Sequence, residues 1–319
     1  MTLTHPKLSL IVPCYNEEAT IEVFYETVGP ILNPLPYEVE FIFVDDGSND
    51  QTVAKIEQLH CQDSRVKLIS LSRNFGKEGA LLAGLEAASG DALIVMDIDL
   101  QDPPSLIPQM LTYFEQGFDH VYTRRRNREG EPLIRSWFAN LFYKLMNQIS
   151  EVEMVNGIRD YRLLSRQATN ELLRLKENNR FSKGLFQWIG FDGVCIEFDH
   201  VDRVAGHTKW SFFNLVNYAI EGITSFSNAP LRLSTYFGML IALVAFGYLG
   251  FVVYDTTVHG NPTPGWSSLI CVSLFLGGIQ LICLGVVGEY IGRIYSEVKQ
   301  RPSYIVKHRL NFEEEIEEH

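Results

Sequence analysis

Cysteine is scarce and unpatterned in this chain. Five are spread over 319 residues (Cys14, Cys61, Cys195, Cys271 and Cys283), and no two stand at CxxC spacing. That excludes a disulfide framework and a structural zinc site, and it fits a reducing compartment. Cations are also in short supply: 27 Lys+Arg stand against 39 Asp+Glu, a net charge of −12. A surface that neutralises phosphates along a duplex needs clustered Lys and Arg, so nucleic acid is excluded as a general partner. A cleavable leader is not expected either, because the opening MTLTHPKLSLIVP is too short and too strand-like. With 46% hydrophobic and 21% charged residues and a mean hydropathy of zero, the chain is neither a disordered polymer nor a heavily polytopic transporter.

Charge is missing most completely in two places. Leu233–Tyr254 and Ser267–Gly288 each run for 22 residues without Lys, Arg, Asp or Glu. About 20 apolar residues cross a bilayer core, so both are predicted membrane spans. Gly277, Gly278 and Gly285 would let the two helices approach closely. The connecting loop Asp255–Trp266 has no Lys or Arg, whereas Arg232 precedes the first span and Arg293, Lys299, Arg301, Lys307 and Arg309 follow the second. The positive-inside rule then places both termini and the rest of the chain in the cytoplasm. Ser211–Phe226 reads as an interfacial or a packed connector helix, and the acidic NFEEEIEEH as a loose tail.

The zero mean hydropathy is therefore an average over unlike parts. Before the spans, short apolar runs alternate with helical patterns. The runs are Leu8–Val12, Val39–Val44, Val66–Leu71, Ala92–Met96 and His120–Thr123; the helical segments are Ile21–Ile31, Thr52–Leu59, Ala80–Ala88 and Leu106–Phe114. Continuous apolar strands separated by helices predict a parallel sheet covered on both faces, an α/β domain with its ligands beyond the carboxyl ends of the strands. Pro132–Ile149 reads as an amphipathic helix resting on core or lipid. The predicted organisation is a catalytic domain over 1–210, a juxtamembrane helix over 211–230, a two-helix hairpin over 231–290 and a C-terminal segment over 291–319.

Acids gather where those strands end. The fourth continues into Met96-Asp97-Ile98-Asp99-Leu100-Gln101-Asp102-Pro103-Pro104. Residues two apart in extended chain share a side, so Asp97, Asp99 and Gln101 can offer three oxygens to a hard divalent cation. The second strand ends in Asp45-Asp46-Gly47-Ser48, whose paired acids suit a base N–H or ribose hydroxyls, with Ser48 and Asp50 left to the turn and the next helix start. The first ends in Pro13-Cys14-Tyr15-Asn16-Glu17-Glu18, bringing an aromatic and an acid to the same edge. Together they outline one nucleotide-sized site.

IVPCYNEE, FVDDGSND, SLSRNFGKEGALLAGLEAASGD and MDIDLQDPP resemble, in order and spacing, the nucleotide-sugar domain of family-2 glycosyltransferases with the GT-A fold. NGIRDYRLLSR, RVAGHTKWS, EGITSFSNAPLR, LFLGGIQ and GEYIGRIY resemble the polyprenyl-phosphate branch, relatives of dolichol-phosphate mannosyltransferase, and above all the bactoprenol glucosyltransferases. The resemblance implies an inverting, Mg²⁺- or Mn²⁺-dependent enzyme of the bacterial plasma membrane. It would move glucose from UDP-glucose to undecaprenyl phosphate on the cytoplasmic face, amid membrane lipids, with a homo-oligomer as an option for its assembly. It implies that Pro13, Tyr15, Glu17, Asp45 and Asp46 hold base and ribose, and that Lys77 lies near the donor. Asp97, Asp99 and Gln101 would hold the metal, Asp160 would serve the acceptor side, Arg203 and Lys209 would meet phosphates, and Arg125 in the loop 124–126 would meet acceptor phosphate or headgroups. His207-Thr208 depart from the acidic and small residues expected before Lys209. Aminoarabinose, GlcNAc or mannose as the sugar, and a non-catalytic nucleotide-sugar binding protein, are the alternatives. A processive synthase is disfavoured, since more spans and a QxxRW-like motif would be needed.

Overall fold

A computed structural model describes residues 6–126, 157–178, 180–199, 227, 229–259 and 265–312. The expected helices Pro132–Ile149 and Ser211–Phe226, and the site residues Arg203 and Lys209, lie outside the described residues.

The first half alternates as its pattern demands: β1 (Lys7–Cys14), α1 (Ile21–Leu32), β2 (Glu38–Asp45), α2 (Thr52–Gln62), β3 (Val66–Leu71), α3 (Lys77–Ala87), β4 (Ala92–Val95), α4 (Ile107–Glu115) and β5 (His120–Arg125). Next come β6 (Ile158–Ser165), α5 (Arg166–Arg174), α6 (Ser182–Trp188) and β7 (Gly193–Phe198). The strands form one sheet in the order β7-β5-β6-β4-β1-β2-β3-β8, where β8 is Val306–Leu310. β1, β2, β3 and β4 are parallel and nearly wholly buried, so each reads as a continuous apolar run.

The sheet is mostly parallel at its centre, as expected of a Rossmann-like domain, and antiparallel strands make it mixed. β6 runs antiparallel to both β4 and β5, and β8 runs antiparallel to β3. Both strands escape the apolar-run criterion because charge interrupts them, IRDYRLLS in β6 and VKHRL in β8. The first two residues of the expected loose tail, Asn311 and Phe312, are held against the domain just after β8. Phe312 packs against the core beside α3, and Asn311 donates to Ser64 O at 2.6 Å. Edge strand β3 is thus covered by chain that returns from the membrane segment.

Two layers of side chains fill the domain. On one face Leu8, Leu10, Phe24, Phe41, Phe43 and Tyr161 pack with α1, α2 and α4. On the other, Ile11, Ile42, Val44, Leu164 and Phe186 pack with α3, α5 and α6. Strand alternation divides the residues between the two faces. Helix α3 lies close on the sheet at Gly84, where a Cβ would stand 2.4 Å from Ile11 Cγ2.

Two long helices follow, α7 (Ala229–His259, 31 residues) and α8 (Trp266–Val298, 33 residues). At about 1.5 Å per residue each exceeds the roughly 30 Å hydrocarbon core. Both are long and apolar enough to cross a membrane, and Leu243, Phe246 and Leu281 are among their exposed side chains. Among the described residues, a Cβ on Gly277, Gly278 or Gly285 would meet nothing within 4 Å. The far end of α8 touches the domain. Glu297 accepts from the Asn178 backbone N–H at 2.9 Å, and Ser296 O accepts from the Asn178 side chain at 3.2 Å.

Candidate active site

Register explains why distant residues meet. Cys14 pairs with Asp45, and Asp45 with Ser70, so the first three strands end level. β4 pairs Val95 with Ile11 on one side and with Arg162 on the other. Since β6 is antiparallel, stepping two residues back from Arg162 reaches Asp160, beside the position two residues past Val95, Asp97. The strand that sequence patterning misses is the one that carries Asp160 into the cleft.

Asp97 and Asp99 lie on a turn after β4 instead of in extended chain. Leu100 adopts a left-handed conformation (φ 55°), and Gln101 N–H donates to Asp99 Oδ1 at 3.2 Å. Alternation of burial survives the turn: Ile98, Leu100 and Asp102 are buried, while Asp97, Asp99 and Gln101 are only partly covered. The apolar pair pins the loop and leaves three oxygen-bearing side chains on the open side.

Lys77 opens α3, where the helix dipole disfavours a cation. Two carboxylates offset that cost: its ammonium lies 2.6 Å from Asp97 Oδ1 and 2.6 Å from Asp160 Oδ2. Burial opposes charge on Lys77, but Asp160 and Asp97 outweigh it and raise its pKa above the ordinary lysine range. Burial alone would raise Asp160 too; Lys77, Lys183 and Arg162 together hold it well below the usual carboxylate range. Arg162 is fully buried. It stacks 3.7 Å from the Phe186 ring centre and donates to Arg159 O at 2.8 Å and Asp160 O at 3.2 Å. Its charge therefore reaches the site from beneath.

The second-strand acids have internal partners. Asp45 accepts from Ser48 N–H (3.1 Å) and Ser70 Oγ (2.9 Å); Asp46 accepts from Phe75 N–H (2.7 Å) and Gly76 N–H (2.9 Å). Burial raises the Asp46 pKa, against those two N–H groups. Each carboxylate oxygen keeps lone-pair capacity for a further donor. Tyr15 is exposed at the end of β1, Pro13 is half-buried, and Glu17 Oε2 accepts from Thr20 Oγ1 at 2.9 Å. Ser48 accepts from Asn16 N–H, and Asp50 from Thr52 and Glu18, so both serve the turn as read from sequence. Arg125 ends β5, its backbone N–H bonded to Gly157 O at 3.2 Å.

Two residues of this edge were missed in sequence. Asp102 is fully buried and holds Arg159 Nε at 2.9 Å, and Arg159 Nη2 reaches Gln101 Oε1 at 3.5 Å. Burial pushes the Asp102 carboxyl up to about 6; Arg159 opposes the rise, while Asp97 and Asp99 add to it. Their signal was adjacency alone, each standing next to a residue already singled out.

Two carboxylates and a carboxamide oxygen form a hard donor set that fits Mg²⁺ or Mn²⁺, with room for phosphate and water ligands. The ammonium of Lys77 against Asp97 shows that the site attracts a cation. Among the described residues no cluster of three His, Cys, Asp or Glu exists, so the set depends on Gln101.

An open α/β sheet with acids at its carboxyl edge places a ligand site beyond the ends of its strands. Residues 9–173 match glycosyl transferase family 2, and residues 229–294 match the GtrB C-terminal hairpin. The chain belongs to glycosyl transferase family 2 and is a glycosyltransferase with the GT-A fold. It is 47% identical over 307 residues to the SfII prophage-derived bactoprenol glucosyl transferase of Shigella flexneri, covering 96% of this chain and 99% of that one. It is 46% identical over 300 residues to the putative glycosyltransferase CsbB of Bacillus subtilis, covering 94% and 91%. Among solved structures, glucosyl-3-phosphoglycerate synthase of Mycobacterium tuberculosis aligns at 21% identity and a TM-score of 0.45, covering 69% of this chain and 78% of that one.

Proposed function

We propose that this chain transfers a sugar, glucose from UDP-glucose, to undecaprenyl phosphate or a similar polyprenyl phosphate at the cytoplasmic face of a bacterial plasma membrane. The observation that carries this reading is the likeness to bactoprenol glucosyl transferases, which runs through both the catalytic sheet and the membrane hairpin. The site chemistry agrees with it. An acceptor phosphate monoester has a second pKa of about 6, so at neutral pH it is mostly dianionic and needs little help from a base. Asp160 then orients sugar or acceptor, and Lys77, with Arg162 beneath, offsets the repulsion between that carboxylate and a dianion.

An acceptor phosphate oxygen attacks the anomeric carbon, the bond to the β-phosphate oxygen breaks, and the nucleoside diphosphate leaves with the electron pair. One in-line displacement inverts the centre, so an α-linked donor gives a β-linked lipid phosphate. Asp97, Asp99 and Gln101 would hold Mg²⁺ or Mn²⁺, which supplies electrostatic stabilisation of the departing diphosphate. Arg203 and Lys209 would add positive charge there, and Pro13, Tyr15, Glu17, Asp45 and Asp46 would seat the nucleoside. Arg125 would meet the acceptor side.

The test is transfer of radiolabel from a panel of UDP- and GDP-sugars to undecaprenyl phosphate by the full chain in membranes. The expected result is lipid-soluble label from UDP-glucose, with a β linkage by NMR. Binding of nucleotide without lipid-soluble label from any sugar would overturn an enzymatic role.

A further inference from the structure

β6 presents two faces to two halves of the site. Asp160 and Arg162 point to the α3 and α6 side, where Lys77 and Phe186 lie. Arg159 and Tyr161 point the other way, to the segment that follows Asp99. Three contacts cross there: Arg159 Nε to Asp102 Oδ1 at 2.9 Å, Arg159 Nη2 to Gln101 Oε1 at 3.5 Å, and Tyr161 OH to Pro103 O at 3.2 Å. Asp102 is wholly buried, and its Oδ2 has no hydrogen-bond partner among the described residues. A buried ion pair so incompletely satisfied is a poor source of stability, and apolar residues of similar volume would serve packing as well or better. What the pair supplies is direction. A guanidinium can only donate, so it selects the Gln101 rotamer that turns oxygen toward it and disfavours the one that turns NH₂. The same oxygen keeps a second lone pair for a cation.

We propose that Arg159, held by Asp102, is a positioning residue: it aims the Gln101 carboxamide oxygen at the cation site and ties the Asp97–Gln101 segment to the strand that carries Asp160. The inference rests on the ligand set assigned under the proposed function. One strand would then fix the donor half through Arg159 and the acceptor half through Asp160, adjacent residues on opposite faces.

The experiment is Mn²⁺ binding to the full-length, detergent-solubilised protein with saturating UDP, read from the free-Mn²⁺ EPR signal. Asp102→Asn is expected to weaken Mn²⁺ about tenfold, the usual cost of removing an outer partner. The double variant Asp102→Leu/Arg159→Met leaves no stranded charge and is expected to fold as well as the parent, yet to stay about tenfold weaker. In a Gln101→Ala background the same double change should cost nothing further, because the group it orients is gone. Parent-like Mn²⁺ affinity in the double variant, or a loss that adds to that of Gln101→Ala, would overturn the positioning role. Asp99→Asn is the control: parent-like Mn²⁺ binding there would overturn the ligand assignment itself, and the positioning role with it.

Discussion

The Lys77 ammonium stands 2.6 Å from Asp160 Oδ2, joining residues 83 apart in the chain. The contact places the first residue of α3 against β6, so one ammonium bridges Asp97 and Asp160. Lys77→Met should lower transfer about 100-fold, since a preorganised charge is removed from where phosphates must gather. Asp160→Asn should abolish transfer. Both should keep the parent's thermal midpoint within a few degrees, because each side chain is partly exposed. Transfer rates and circular dichroism melts of the two variants check this, and a fully active Asp160→Asn would remove that residue from the chemistry.

Close packing of α3 gives a prediction of the opposite kind. A Cβ at Gly84 would lie 2.4 Å from Ile11 Cγ2 and 3.1 Å from Val44 Cγ2, both in buried strands. Gly84→Ala should therefore destabilise by about 2 kcal/mol, the usual range for overpacking, despite alanine's better helix propensity. Gly238→Ala, where a Cβ meets nothing within 4 Å among the described residues, is the comparison and should not destabilise. Thermal melts of the two variants measure the difference.

Legibility from sequence followed burial. β1 to β4 are apolar because both their faces are covered, and their expected positions agree within one or two residues. β6 and β8 carry Arg159, Asp160, Arg162, Lys307 and Arg309, so no apolar run marks them, and their antiparallel entry could not be anticipated. The acids after β2 and β4 stood out because carboxylates past a buried strand have no sheet to stabilise. Arg159 and Asp102 did not stand out, since a buried ion pair is a property of two distant segments and has no local pattern. The expected two spans correspond to α7 and α8, helices longer than the uncharged runs because their ends carry polar residues.

Acid stability should fall in two stages with separate causes. Burial holds His120 neutral and, with the Arg162 charge, lowers its pKa from 6.5 to about 3. The unfolded chain binds that proton first, so stability declines as pH falls from about 6.5 towards 3. Glu40 lies near the amino end of β2, beside an open cleft of about 1160 Å³ that Lys7 and Lys67 also line. Burial would raise its pKa, but Lys67 at 2.8 Å, Ser9 at 2.5 Å and the Ser89 N–H lower it to about 2. Its contribution is present above about pH 4.5 and lost as pH falls from there towards 2. Asp102, whose carboxyl burial raises to about 6, offsets part of the His120 loss between about pH 6 and 4, so melting temperatures of the solubilised chain should fall gently below pH 6.5 and more steeply below 4.5. His120→Asn should flatten the upper stage and Glu40→Gln the lower. An unchanged profile in either variant would show that the other groups carry the effect.

Orientation can be read from a thiol the chain already has. Cys61 is exposed near the end of α2, on the catalytic domain and far in sequence from the helices that could span the bilayer. Cys14 is buried, and burial raises its pKa further from the reactive thiolate. Cys195 is half-buried, with its pKa raised by burial as well, and Cys271 and Cys283 lie within α8. A membrane-impermeant maleimide should therefore report chiefly on Cys61, and Cys61→Ser should remove most of the label. If the lysine- and arginine-free loop 255–266 lies outside, as the positive-inside rule expects, Cys61 should face the cytoplasm. The full chain in a bacterial inner membrane should then be labelled in inverted vesicles and protected in intact spheroplasts. Labelling of Cys61 in intact spheroplasts would put the catalytic sheet on the far side, away from the cytoplasmic nucleotide-sugars that the proposed reaction consumes.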